Sequence, residues 1–213
     1  MNYHIIPVTS LMQNCCIIWC KSTCESAILD PGGNAENIKK ILTKLNLHPV
    51  KILITHGHLD HIGSARELSE FYQIPIIGPH KFDKFLFESL SEQKNNINEI
   101  KSLAFTPNCW LKDNDKIQIG LLTFEVIHCP GHTPGHIVYF YRKGSFLFSG
   151  DVIFKGGIGR TDFHKSNYDH LINSINTKLL PLGDNITFIP GHGTMSTLGY
   201  EKINNHFLNL HLN

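Results

Sequence analysis

Between Lys51 and His61 the chain reads KILITHGHLDH. The first half is an apolar run of strand length, suited to a strand covered on both faces, so its sheet needs layers above and below. The second half, THGHLDH, packs three histidines and one aspartate into seven residues. The stretch that follows, HIGSARELSEFY, places Ile62, Ala65, Leu68 and Phe71 or Tyr72 on one helical face. Any fold for this chain must therefore hold an imidazole-rich strand-to-helix loop at a sheet edge, where ligand sites of layered α/β proteins lie.

The other elements extend that pattern. Apolar runs at Ile5–Val8, Cys15–Trp19 and Ala27–Leu29 read as strands, the last ending at the turn DPGG, Asp30–Gly33. Asn34 is placed to cap a helix running through Leu45, with Ile38, Ile41, Leu42 and Leu45 on one face. IPIIG is a further strand, and Lys81–Leu90 reads as helical. Lys116–Ile119, Leu121–His128, Ile137–Tyr141 and Phe146–Ser149 are short strands split by glycine turns, as in hairpins. A helix over Tyr168–Leu180, the strand ITFIP and a helical stretch from Leu198 to Leu212 follow. Strands and helices recur in two similar halves, which predicts two sheets face to face with helices outside. A length of 213 residues suits a single α/β domain spanning 1–213.

Imidazole and carboxylate are the donors that a Zn-type ion takes. His56 and His58 stand two apart, so an extended loop aims both at one point. Asp60 and His61, at the bend into the helix, can aim at a second point close by. Each residue also has a plainer explanation: Asp60 is a good N-cap, Gly57 and Gly63 let the chain turn, and an exposed histidine is ordinary. Each plain explanation covers one residue, whereas metal binding accounts for all four together. Similar donors stand at other strand ends: His132 and His136 in CPGHTPGH, Asp151 in FSGD and His192 in FIPGHG. Pro-Gly and Gly-Asp also punctuate turns. His136, at the start of a strand, suits packing or hydrogen bonding better than ligation, and His128 is a similar supporting candidate.

Taken in order, His-x-His-x-Asp-His, PGHT, GD and PGHG resemble the metallo-β-lactamase fold, specifically its glyoxalase II-like hydrolases, over nearly the whole chain. GDVIFKGGIGRTDF and PGHGTMSTLGYE are similar to the small single-domain branch of that group. The resemblance implies an αββα four-layer sandwich with the site along one edge. It implies a first metal on His56, His58 and His132, a second on Asp60, His61 and His192, and Asp151 as the bridge. Two divalent ions per chain are then expected, Zn2+ first, with Fe and Mn accepting the same donors. Asp60 would also orient the nucleophile. The implied substrate is a small-molecule thioester, S-lactoylglutathione or a related glutathione thioester, as for a hydroxyacylglutathione hydrolase. Only 21 residues follow His192, too few for the C-terminal helical domain of glyoxalase II proper. GIGRTDF stands where the full-length enzymes carry a Lys and a Tyr for glutathione. Arg160 can take the lysine's place against a substrate carboxylate, or form a surface pair with Asp162.

Two rivals share the fold. Persulfide dioxygenases also carry GRTDF and use one iron, which would fall to His56, His132 and Asp151 as a two-His-one-carboxylate triad. A non-catalytic binding member would have lost ligands, and all seven are present. The net charge of +1 gives no attraction to nucleic acid or an anionic membrane. The chain carries 14 histidines against 19 lysines and arginines, an excess that itself asks for metal or proton chemistry. The N-terminus lacks the pattern of a secretory signal and no run of eighteen apolar residues occurs, so the expected compartment is the cytoplasm. There the six cysteines, which form no C-x-x-C pair, are expected as reduced thiols.

Overall fold

Alternation along each strand decides which layer a side chain serves. The computed structural model describes residues 1–90 and 104–209. Its first sheet takes β1 (Asn2–Val8), β2 (Gln13–Trp19), β3 (Glu25–Leu29), β4 (His48–Leu53) and β5 (Ile76–Ile77) in chain order. β2 is antiparallel to both β1 and β3, while β3, β4 and β5 run parallel. The second sheet is built from β6 (Lys116–Ile119), β7 (Leu122–His128), β8 (Ile137–Tyr141) and β9 (Phe146–Gly150). A small hairpin, β10 (Ile153–Phe154) and β11 (Gly157–Ile158), precedes its last strands, β12 (Thr187–Pro190) and β13 (Ser196–Thr197). The resulting order is β13-β12-β9-β8-β7-β6, with β12 parallel to β9.

Three apolar layers follow from this alternation. Cys16 and Ile18 of β2, Ala27 and Leu29 of β3, and Leu53 of β4 meet Ile137 and Tyr139 of β8, Phe148 of β9 and Ile189 of β12 between the sheets. Their neighbours Cys15, Ile17, Ile28 and Ile52 face outward, onto Ile38 and Leu42 of α1 (Ala35–Lys44). Beyond α2 (Leu59–Ile62), Ala65 and Leu68 of α3 (Ala65–Tyr72) cover the same face, as does Phe87 of α4 (Lys84–Glu88). On the opposite side Val138, Phe140, Leu147 and Phe188 pack against Leu171 and Ile172 of α5 (Tyr168–Ser174) and Leu198 of α6 (Leu198–Asn204). The expected αββα sandwich is the fold observed. Among the described residues no helix is long and apolar enough to cross a membrane.

Several details differ from expectation, mostly where a tertiary hydrogen bond intervenes. Asn34 makes no side-chain cap; it sits at φ 55°, ψ 47°, using the left-handed conformation that Asn tolerates to leave the DPGG turn. The single helix predicted over HIGSARELSEFY is two, because the Ser64 amide is drawn to Pro31 O, at 2.9 Å. Asp60 lies inside α2 and is not its N-cap; that position is His58. The KILIT strand leaves the ladder after Leu53, since the Thr55 amide donates to Asp30 Oδ1, at 2.8 Å. Lys81–Asp83 forms a tighter turn ahead of α4, and α5 continues as a wider-wound turn over Ile175–Leu179. The last helical stretch divides into Leu198–Asn204 and His206–Asn209, and positions 210–212 of the expected helix lie outside the described residues.

One buried hydroxyl ties the two sheets together beside the imidazole-rich loop. Tyr139, fully buried in β8, donates to Ile54 O at 2.9 Å. Tyr139→Phe removes the donor and leaves that carbonyl short of a partner, so unfolding in urea should show a loss of about 1–3 kcal/mol. An unchanged midpoint would show that the bond contributes nothing to the joint between the sheets.

Candidate metal centre

Four loops leave the sheets at neighbouring strand ends and converge. The loop after β4 carries His56, His58, Asp60 and His61; the β7–β8 connection carries His132; Asp151 follows β9 and His192 follows β12. All seven residues read from the sequence come together. Their donor atoms fall into overlapping groups, each within 4.8 Å: His56, His58 and His132; His56, His61 and Asp151; Asp60, His61 and His192. His58 and His192 are half-buried and the other five are buried, so these two mark the open side.

Hydrogen bonds on the outer side of the rings set the tautomers. Thr55 Oγ1 donates its proton to Asp30 Oδ2, at 2.7 Å, so the same oxygen is left to accept from His56 Nδ1, at 3.0 Å. His132 Nδ1 faces Arg160 O at 2.8 Å and His192 Nδ1 faces Leu11 O at 3.1 Å. A carbonyl can only accept, so both rings carry their proton on Nδ1. His61 Nδ1 faces Asp30 Oδ2 at 3.0 Å. Four Nε2 atoms are thereby directed at the centre. His56 Nε2 and His132 Nε2 each lie 3.0 Å from His58 Nδ1, so three nitrogens face one another with at most one proton among them.

Burial keeps these rings neutral: it holds His56 and His132 below the ordinary imidazole value and takes His58 down to about 3, with neighbouring imidazoles adding to the effect. The pKa of His192 is raised, burial being outweighed by its bond to Asp60 and the charge of Asp151, and His61 is the strongest such case. Burial works against its charge, but the carboxylates of Asp151 and Asp60 outweigh it and raise the pKa. Burial would likewise favour neutral Asp60 and Asp151, yet His61 and the other imidazoles hold both carboxylates ionised, Asp151 far below the usual range. His61 Nε2 and Asp151 Oδ1 are buried and face each other as an ion pair 3.4 Å apart that is poorly aligned for a hydrogen bond. Inward lone pairs, ionised carboxylates and buried atoms without a hydrogen bond in one cluster form a donor set that fits metal ions.

Sequence reading missed the groups that hold the rings. Asp30 was visible only as the first residue of a turn, although it binds Thr55 and His61 together. A carboxylate ending a strand next to the histidine loop was the available signal. Leu11 O and Arg160 O act through the backbone, so no side-chain pattern announces them. His136 fills the hydrogen-bonding role expected, accepting from the Asp151 amide at 3.0 Å and stacking on His56. His128 instead contacts Pro134 O and the His80 ring. The Arg160 guanidinium pairs through two bonds with Asp162, at 3.0 and 2.8 Å, and lies over Phe163, whose ring abuts His58 and His132.

Comparison with known proteins agrees with this geometry. Residues 8–192 match the family model of the Metallo-beta-lactamase superfamily. The chain is similar to hydroxyacylglutathione hydrolase GloC of Haemophilus influenzae, with 47% identity over 210 residues, 98% of this chain and 99% of the relative. Among solved structures it is similar to the BLEG-1 B3 metallo-beta-lactamase, with a TM-score of 0.90 and 34% identity over 97% of this chain and 99% of the other. TTHA1623, solved in a di-iron-bound form, superposes with a TM-score of 0.84 and 31% identity, covering 96% and 100% of the two chains.

All six cysteines are free thiols. Cys129, three residues before His132, is the one nearest the cluster in sequence. Burial pushes its thiol up to about 12, so it is protonated and a poor ligand. Cys129→Ala should leave the metal content of purified protein unchanged. Loss of one ion per chain in elemental analysis would mean that sulfur takes part.

Proposed function

We propose that this chain, which belongs to the metallo-beta-lactamase superfamily, is a dinuclear hydrolase of thioesters whose substrate is a hydroxyacylglutathione, S-lactoylglutathione first. The observation that carries this reading is the position of Asp151. Its Oδ2 lies 3.6 Å from His132 Nε2 and 3.7 Å from His192 Nε2, so one carboxylate oxygen faces both histidine groups. His56, His58 and His132 would hold one divalent ion, Asp60, His61 and His192 the other, and Asp151 would be common to both. Zn2+ suits this donor set, and so do Fe and Mn. Two such ions, when bound, bring the pKa of water toward about 7 and polarise an acyl carbonyl.

The chain's own residues supply position and charge. The outer partners Thr55, Asp30, Arg160 O and Leu11 O hold the rings so that each turns its Nε2 inward, His61 and His192 becoming donors on giving up the proton that the carboxylates favour. We assign to Asp60, whose Oδ2 lies 3.2 Å from His192 Nε2, the further role of orienting the attacking water. A thioester suits the site because a thiol, with an ordinary pKa near about 8.5, leaves as its anion without a strong acid. The similarity to GloC of Haemophilus influenzae over the whole length of both chains supports glutathione as that thiol. Arg160 is the residue we assign to a substrate carboxylate, in exchange for Asp162.

The test is a substrate panel with the metal-loaded protein: S-lactoylglutathione, a neutral thioester, a β-lactam, and glutathione persulfide with oxygen uptake recorded. Thioester hydrolysis should be fastest; oxygen uptake with the persulfide would transfer the site to a one-iron dioxygenase. Asp151→Ala should abolish most hydrolysis and reduce bound metal below two ions per chain. Wild-type activity with full metal content would remove Asp151 from the bridge.

Arg160→Ala addresses specificity. Lost binding in ground and transition states alike should raise KM with kcat nearly unchanged, lowering kcat/KM on S-lactoylglutathione roughly tenfold to a hundredfold. The neutral thioester should lose nothing. Equal losses on both would return Arg160 to the scaffold.

A further inference from the structure

Asp83 is a second buried carboxylate, outside the loops that carry the seven clustered residues. It closes the turn Lys81–Asp83 ahead of α4 and is fully buried. Among the described residues, the three hydrogen bonds to its carboxylate all come from the two loops of the first histidine group. The Gly57 amide donates to Oδ2 at 3.0 Å, Thr133 Oγ1 donates to Oδ2 at 2.8 Å, and the Gly135 amide donates to Oδ1 at 2.6 Å. Gly57 lies between His56 and His58; Thr133 and Gly135 follow His132. Both loops approach so closely that side chains are excluded. A Cβ on Gly57 would meet Leu86 Cβ at 2.8 Å, and one on Gly135 would meet Asp83 Oδ1 at 2.6 Å.

We propose that Asp83 is the positioning residue of the first metal group: its carboxylate ties the loop of His56 and His58 to the loop of His132 and so sets the separation of their three ligand nitrogens. This rests on the assignment of those three histidines to one ion. Only a carboxylate meets the geometry, because both of its ends must accept. An asparagine of the same size would turn its NH2 toward one of the three donors. The loops it joins differ widely in sequence position, and no other side chain among the described residues bonds to both.

The charge of the clamp depends on pH. Burial pushes the Asp83 carboxyl up to about 7, against the pull of Thr133 and the Gly57 and Gly135 amides. The titratable groups on the elements packed about it are His80 and Lys81 on its own turn, Lys84 and Glu88 on α4, His56 and His58 on either side of Gly57, and His132 and His136 around Thr133 and Gly135. Ionised Asp83 holds the loops; the neutral acid has one acceptor oxygen fewer and holds them less well.

Affinity for Zn2+, measured by competition with a chromophoric chelator, tests the proposal without any substrate. Asp83→Asn is made in two single-ion backgrounds. In His192→Ala, which leaves the first group intact, it should weaken the remaining ion about tenfold to a hundredfold, the usual cost of losing a partner behind the ligands. In His58→Ala, which leaves the second group, it should change little. The ratio of affinities with and without the substitution in the first background should be full at pH 8 and shrink below pH 6, where Asp83 is itself neutral. Ligand protonation cancels in that ratio because both proteins share it. Equal weakening in both backgrounds would make Asp83 a general scaffold residue and overturn the proposal, as would no weakening or a ratio independent of pH. A parent that binds a single ion would sink the two-ion reading separately, and Asp83→Asn is then judged on that ion by the same criterion.

Discussion

Thr55 gives its hydroxyl proton to Asp30, and much of the centre depends on that bond. It joins the end of β3 to the end of β4, and it leaves the Thr55 oxygen able only to accept from His56. Asp30 Oδ2 also faces His61. One carboxylate thus fixes two of the inward-facing rings, and backbone carbonyls fix two more. A neutral imidazole that donates outward must present a lone pair inward. The lone pairs of His56, His58 and His132 repel one another in a site that burial shields from water, and the imidazoles beside Asp60 and Asp151 offset only part of the two negative charges. A cation removes that conflict. The strain of assembling the cluster and its affinity for metal are therefore two views of the same arrangement.

The sandwich explains why the arrangement can be held. Strands buried on both faces have little freedom to shift, and their ends carry the cluster. Loops leaving such strands inherit fixed starting points. Tyr139 joins the sheets through Ile54 O, one residue before Thr55, so the joint between the layers and the outer support of His56 are adjacent along the chain. Packing density and site geometry are coupled at that point: a change that parts the sheets there also moves the first ligand loop.

Legibility followed the kind of signal each residue leaves. Alternating and continuous apolar runs showed the two sheets and their helices, because burial on one face or two leaves a periodic trace. The seven cluster residues were legible because they are dense, chemically alike and set at strand ends. Asp30 was not, since a strand followed by Asp-Pro-Gly-Gly is an ordinary turn, and its role arises from a neighbouring strand far away in sequence. Asp83 left no trace at all. It lies in a stretch read only as helical, and its partners are two backbone amides and one hydroxyl. The helix break at Ser64 was missed because a tertiary hydrogen bond decided it, and Asn34, though it holds the N-cap position expected, takes a left-handed conformation in place of a side-chain cap; neither is local to the pattern.

The open side of the cluster bears on how an anionic substrate would be received. The least buried members, His58 and His192, are flanked by different surfaces. The Leu11 carbonyl holds His192, and Leu11 and Met12 project into solvent beside it, 52% and 61% exposed. Phe163 and Arg160 stand at His58. Apolar contact is thus offered on one side, and an aromatic wall with a cation on the other. The guanidinium already has a partner in Asp162, but both side chains are about two-thirds exposed, at 68% and 64%. A pair so open to water contributes little, because water and salt replace each charge's partner at small cost. Asp162 therefore keeps Arg160 extended over Phe163 without committing it. On the proposed thioester reading, an incoming carboxylate would exchange one solvated partner for another and gain from the other end of the substrate being held at the same time, which is how a weak charge contact becomes selective only within a bound molecule.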